Sequence, residues 1–219
     1  MIVTIDGPAG SGKSTAAQGL AQRLGFDFID TGAMYRTVAQ SCRDSGIDCE
    51  NGDAVAAHAR TLEIGFDGES VLLNGEDITT TIRDPSISEA ASRVAQHPDV
   101  REELVRQQRR LVAERSVVTE GRDQGTVVFP DAECKFFLEA DARVRAQRRR
   151  EELLGRGVDV PLETTLKQIR DRDERDRTRP ISPLKPAKDA LRIDSSRLSA
   201  DDVLDQLETL ARQVLDATS

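Results

Sequence analysis

The first two dozen residues restrict this fold more than any other stretch. An apolar run, Ile2-Val3-Thr4-Ile5, leads into Gly7-Pro8-Ala9-Gly10-Ser11-Gly12-Lys13-Ser14, and a helical pattern follows at once from Thr15 to Leu24. The spacing G-x-x-x-x-G-K-[ST] between a strand and a helix is that of a phosphate-binding loop. Its glycines let the backbone wrap closely, so that N–H groups point inward, and the helix N-terminus adds positive partial charge. Lys13 would reach the β- and γ-phosphates of a nucleoside triphosphate, and the Ser14 hydroxyl suits Mg²⁺. The alternative, a glycine-rich turn that binds nothing, does not require both flanks to fit as they do here.

Strand–helix alternation continues beyond that loop. Strands are expected at Ile2–Asp6, Phe26–Ile29, Val117–Glu120, Lys135–Leu138 and Ala190–Ile193. Helices are expected at Lys13–Leu24, Ala33–Asp44, Ala142–Leu154, Leu162–Arg177 and Ala200–Asp216. This pattern predicts an α/β fold, a parallel sheet flanked by helices, with ligands collecting at the carboxyl ends of the strands. Two segments interrupt it. Between Leu62 and Thr79 short strands are divided by Asp67-Gly68 and Asn74-Gly75, both hairpin-turn signals. Helices at Ile87–Gln96 and Val100–Arg115 follow, so residues 31–115 form a lobe separate from a core of 1–30 and 116–219. Residues 154–161, with Gly155 and Gly157 between two Arg-rich helices, read either as a short mobile lid or as a plain turn between helices.

Composition narrows the functional classes. A net charge of −8 argues against a general nucleic-acid binder, as does the absence of Trp among aromatics of only 3%. No apolar run approaches the roughly 20 residues that span a bilayer, and Met1 leads straight into a strand, so neither membrane contact nor a signal peptide is expected. Cys42, Cys49 and Cys134 lack metal-ligand spacing and are odd in number, which suits reduced thiols in the cytoplasm. His58 and His97 are the only histidines and lie far apart. From Arg143 to Arg179, twelve basic side chains face eight acidic ones, against the acidic trend elsewhere. Arginine suits bidentate phosphate contacts.

Three further motifs sit where a ligand would. Asp30-Thr31-Gly32 closes a strand and opens a helix; Thr31 is a plausible N-cap, Asp30 could hold a Mg²⁺ water, and Arg36 lies one turn on. The alternative is a capping residue with a surface arginine. Gly121-Arg122-Asp123-Gln124-Gly125-Thr126 follows an apolar strand, where Arg could grip phosphate and Asp could accept from a base or sugar, or where both form a local salt bridge. Arg172, Asp176 and Arg179 fall on one face of a helix ended by Pro180, as ligand contacts or as an ion-pair ladder.

Taken together, GPAGSGKST (Gly7–Thr15), DTGAMYR (Asp30–Arg36), EGRDQGTVVFPDA (Glu120–Ala132) and RDERDRTR (Arg172–Arg179) resemble the bacterial cytidylate kinases, nearly end to end. The resemblance implies a parallel-sheet core, a nucleoside-monophosphate lobe carrying a small antiparallel sheet, and a short lid. It implies transfer of the γ-phosphoryl of ATP to CMP or dCMP in pyrimidine metabolism. On that basis Gly7 to Thr15 hold the ATP phosphates, Ser92, Arg101 and Asp123 contact cytosine, and Thr31, Arg172 and Asp176 lie near the sugar. Arg36, Arg122 and Arg179 grip the CMP phosphate and, with Lys13, serve catalysis. Thr31 stands where serine is frequent, Ser14 where some members have glycine, and Glu120 where many have aspartate. Arg148, Arg149, Arg150 and Arg156 are candidates for lid contacts, and a monomer is expected. Two other readings stay open: a kinase with an alcohol acceptor and Asp30 or Asp123 as base, and a GTP switch, whose Asn-Lys-x-Asp motif is missing.

Overall fold

The computed structural model describes residues 1–218. In chain order the elements are β1 (Ile2–Asp6), α1 (Lys13–Leu24), β2 (Asp27–Asp30), α2 (Thr31–Asp44), α3 (Gly52–Ala59), β3 (Ile64–Asp67), β4 (Ser70–Leu73), β5 (Glu76–Asp77), α4 (Pro85–Val94), α5 (Pro98–Leu111), β6 (Val117–Gly121), β7 (Cys134–Glu139), α6 (Ala142–Gly155), α7 (Leu162–Thr178), β8 (Leu191–Asp194) and α8 (Ala200–Thr218). A 3₁₀ turn lies at Thr81–Arg83 and one π turn at Gln124–Val128. The chain divides into two compact units: Met1–Phe26 with everything from Val117 on, and Asp27–Ser116.

The main sheet has the order β2-β6-β1-β7-β8, and β1 runs parallel to both β6 and β7. Val3, Ile5, Val117, Val118, Phe136 and Leu138 are buried, as expected of strands covered on both faces. Helix α1 buries Ala16, Ala17, Leu20 and Ala21, and α8 buries Val203, Leu207, Ala211 and Leu215 at four-residue spacing. The two helices approach closely at Gly19, where a Cβ would meet the Leu204 side chain at 2.8 Å. The register places Asp6 of β1 opposite Gly121 of β6, so the phosphate-binding loop and the Arg122 turn leave the sheet at the same end.

The second unit has its own core. Met34, Val38 and Cys42 of α2 pack with Val55 and Ala59, with Ile87, Ala91 and Val94, and with Val100 and Leu104. Strands β3, β4 and β5 form a small antiparallel sheet. Its second turn uses Asn74 and Gly75, both at positive φ (51° and 86°), the geometry that lets two strands reverse in two residues.

Several boundaries differ from expectation. Phe26 belongs to the helix end, its N–H reaching the Ala21 carbonyl at 2.9 Å, so β2 begins one residue later. Helix α3 was not foreseen; Asn51 caps it by accepting from the Ala54 N–H at 3.1 Å. Thr31 is not the cap of α2 but its first residue. The cap is Asp30, whose carboxylate accepts from the Ala33 N–H at 2.9 Å. Helix α7 ends at Thr178, leaving Arg179 outside it, because the residue before Pro180 is pushed into the extended region.

Candidate active site

In the first unit the loop after β1 wraps as its sequence requires. Gly7 sits at φ 152°, and a Cβ there would collide with the Leu138 carbonyl oxygen. Lys13 opens α1 yet is only 5% exposed, and its ammonium donates to the Pro8 carbonyl at 2.8 Å. Burial pulls its pKa down to about 7, helped by the nearby Arg122 and Arg172 charges and opposed by Glu120 and Asp6. A lysine held so far below its ordinary value is destabilised in its charged form, and anionic phosphate would relieve it.

The same unit brings together residues far apart in sequence. Arg122 Nε donates to Asp176 at 2.9 Å, and Arg179 Nη2 lies 4.0 Å from Asp123. Burial would raise the Asp176 carboxyl, but Arg122, Arg172 and Arg179 outweigh it and hold the group below its usual range. For Arg122, burial is likewise outweighed by Asp176 and Glu120, which raise its pKa. Arg179 Nε donates to the Ser182 carbonyl at 2.6 Å, which fixes it past the helix end. Lys13, Arg122, Arg172 and Arg179 therefore concentrate positive charge where β1 and β6 end, with Asp123 and Asp176 among them. Such a cluster is costly without anions to neutralise it and suits a polyanionic ligand.

Sequence reasoning missed three features of this unit. The Ser14 hydroxyl donates to Glu120 at 2.8 Å, so Glu120, treated only as part of a motif, is the carboxylate next to the loop serine. Arg145 of α6 forms a bidentate pair with Asp173 of α7 (3.1 and 2.7 Å) and also donates to the Ala9 carbonyl at 3.0 Å. Asp6 accepts from the N–H groups of Gln124 and Gly125, both at 2.8 Å. Four arginines expected near the lid have local partners. Arg148 binds Ser195 and the Leu198 carbonyl, Arg149 and Arg156 pair with Glu152, and Arg150 reaches the Val160 carbonyl and Asp159. Residues 156–161 join α6 and α7 as the turn of a helical hairpin packed through Ala146, Leu166 and Ile169.

The second unit carries the remaining predicted residues. Both Asp30 oxygens accept, one from the Ala33 N–H and the other from Arg36 at 2.7 Å. Thr31 is buried. The Arg101 guanidinium lies over the Tyr35 ring at 5.4 Å and donates to the Ala95 carbonyl at 3.2 Å. The Ser92 hydroxyl is buried and meets no hydrogen-bond partner among the described residues. Tyr35 was also overlooked, although it stands next to Arg36 in the sequence. No cluster of three His, Cys, Asp or Glu side chains able to hold a metal occurs among the described residues.

A family model described as cytidylate kinase matches residues 3–213. The chain belongs to the cytidylate kinase family. Phosphoryl transfer from ATP to CMP or dCMP is the reaction of that family. The chain is 44% identical over 209 residues to the cytidylate kinase of Vibrio vulnificus strain CMCP6, covering 94% of this chain and 92% of that one. It is 43% identical over 220 residues to the cytidylate kinase of Pasteurella multocida strain Pm70, covering 99% and 97%. Among solved structures, a gluconokinase from Sinorhizobium meliloti shares the fold, with a TM-score of 0.51, 16% identity and coverage of 99% and 94%. No helix among the described residues is long and apolar enough to cross a membrane.

Proposed function

We propose that this chain carries out the family's reaction with the residues described above, as a cytoplasmic monomer whose partners are small molecules. The observation that carries the proposal is the cationic cluster of Lys13, Arg122, Arg172 and Arg179 beside the phosphate-binding loop. An acceptor phosphate is already anionic near neutral pH, so its attack on the γ-phosphorus needs no general base. The difficulty is repulsion between phosphates brought within bonding distance, and fixed cations offset it while stabilising charge on the transferring group. The loop from Gly7 to Thr15 holds the ATP phosphates through its backbone N–H groups, Pro8 excepted, and Lys13 supplies the charge nearest the transferring group. Arg36, Arg122 and Arg179 grip the acceptor phosphate. Thr31, Arg172 and Asp176 contact its sugar, and Ser92, Arg101 and Asp123 pair with the edge of cytosine. The buried Ser92 hydroxyl supports that assignment, since a base would satisfy it.

The donor set at Ser14 and Glu120 fits Mg²⁺, which prefers hard oxygen ligands and keeps several of its waters. Ser14 would ligate the ion and Glu120 would orient the Ser14 hydroxyl; when bound, Mg²⁺ supplies neutralisation of the β- and γ-phosphates. Asp30 accepts from the Ala33 N–H and from Arg36, and its part at the metal would run through a water held on the lone pairs that remain.

The test is thermal unfolding with a panel of nucleoside monophosphates and sugar alcohols, with and without an unreactive ATP analogue. Stabilisation by CMP or dCMP that grows with the analogue supports the reading. Stabilisation by an alcohol acceptor alone would replace it with the alcohol-kinase alternative.

A further inference from the structure

We propose that Asp6 is a positioning residue for recognition of the acceptor nucleotide, although it immediately precedes the loop assigned to ATP. The inference rests on the reading of Arg122 and Asp123 as acceptor contacts. Asp6 ends β1 and is 3% exposed. Its two oxygens are used separately, Oδ1 by the Gln124 N–H and Oδ2 by the Gly125 N–H, each at 2.8 Å. Buried and with both oxygens turned toward residues 124 and 125, the carboxylate acts on recognition through the turn that it holds.

That turn is gripped on three sides, all within the first unit. Asp6 takes two successive N–H groups. The Thr119 hydroxyl donates to the Gln124 side chain at 3.0 Å. Gly125 lies so near β1 and β7 that a Cβ would stand 2.9 Å from Thr4 Oγ1 and 3.2 Å from the Lys135 side chain. Downstream, the N–H groups of Val127 and Val128 both turn back to the Asp123 carbonyl, at 2.9 and 3.2 Å, closing the π turn. Arg122 and Asp123 stand at the mouth of this clamped segment. Their placement therefore depends on where Asp6 pins residues 124 and 125.

An apolar side chain in its place would leave the buried Gln124 and Gly125 N–H groups without this acceptor. Burial pushes the Asp6 carboxyl up to about 7, partly offset by the Gly125 and Gln124 hydrogen bonds, with Asp123 raising it further and Lys13 lowering it. Ionisable groups perturbed in this way collect at functional sites. The two carboxylate oxygens give each of these successive N–H groups an acceptor of its own. Asparagine, of the same size, has one acceptor oxygen and would turn an amide N–H₂ toward one of them.

The experiment compares Asp6→Asn with wild type by steady-state kinetics with CMP, UMP and ATP, and by thermal unfolding at pH 8. One N–H left facing a donor predicts a rise of about tenfold in KM for CMP and a comparable fall in the CMP-over-UMP ratio of kcat/KM. KM for ATP should stay within about twofold, and the melting temperature should not fall, since a buried charge is removed. Gly125→Ala, which displaces the same segment from the other side, should reproduce the loss of CMP affinity and decides the matter if Asp6→Asn does not fold. Unchanged KM for CMP, or equal losses for both nucleotides with a lowered melting temperature, would overturn the proposal and leave Asp6 as scaffolding. Asp123→Ala separates the two levels of inference. If it weakens CMP while Asp6→Asn does not, only the positioning role is lost; if it leaves CMP untouched, the reading of Asp123 itself is wrong.

Discussion

The buried pair between Arg145 and Asp173 offers the sharpest energetic prediction. Their side chains are 5% and 3% exposed, and the guanidinium meets the carboxylate with two hydrogen bonds of 3.1 and 2.7 Å. In Asp173→Ala the guanidinium keeps only carbonyl partners, Ala9 at 3.0 Å and Ala140 at 2.8 Å, and carries an uncompensated charge. Removing one partner of a buried pair costs about 3–5 kcal/mol. At about 2–4 °C per kcal/mol for a chain of this size, the melting temperature should fall by roughly 6–20 °C. Arg177, 3.9 Å from the same carboxylate but 61% exposed, contributes little to that figure. The assay is circular-dichroism melting of wild type, Asp173→Ala and Arg145→Met/Asp173→Leu. The double variant, which removes both charges and restores apolar volume, should recover most of the loss. The deficit of the single variant should be the same in low and high salt, because salt screens buried pairs weakly. A drop below about 3 °C, or a double variant that loses more than the single one, would refute the account of these helices as fastened through a desolvated pair.

Three other outcomes follow from the site. Lys13→Ala should lower kcat by at least about 10²-fold, measured by coupled ADP release, with the far-ultraviolet spectrum unchanged; an unaltered kcat would remove the loop from the mechanism. Glu120→Gln, which weakens the partner of the Ser14 hydroxyl, should raise the Mg²⁺ concentration for half-maximal rate by about tenfold, and an unshifted Mg²⁺ dependence would dissociate Glu120 from the metal. Asp6 sets a pH dependence with a defined sign. A carboxyl raised from 3.8 to about 7 on folding gives stability that is fully present below 3.8 and is lost as pH rises through 7. Urea unfolding should therefore show wild type losing up to ~4 kcal/mol relative to Asp6→Asn between pH 4 and pH 8, and a constant difference would contradict it.

What the sequence disclosed, and what it hid, divides by range of interaction. The phosphate-binding loop announces itself because its glycines, lysine and serine are contiguous and its flanks carry the right apolar patterns. The small sheet was legible for the same local reason: Asn74-Gly75 marks a turn whose φ values few other pairs adopt. Asp6 and Gln124 are 118 residues apart, and Arg145 and Asp173 are 28 apart. Neither contact leaves a periodic trace in the chain, so both emerged only from the fold. The partners of the α6 arginines were hidden for a related reason: Arg145 meets Asp173 and Arg148 meets the Ser195–Leu198 loop, both distant in sequence. Helix α3 was lost because its short Gly-Asp-Ala start carries a weak pattern, and its cap, Asn51, sits in a run that reads equally well as loop. At the start of α2 the sequence pointed to Thr31 as the cap, whereas the Asp30 carboxylate caps the helix and also pairs with Arg36.

The most direct test of the central claim is product analysis of the purified protein mixed with ATP, Mg²⁺ and CMP. Stoichiometric CDP and ADP, both abolished when CMP is withheld, is the predicted result. ADP accumulating without CDP, or no turnover at any CMP concentration, would contradict the assignment of the cationic cluster to phosphoryl transfer between nucleotides.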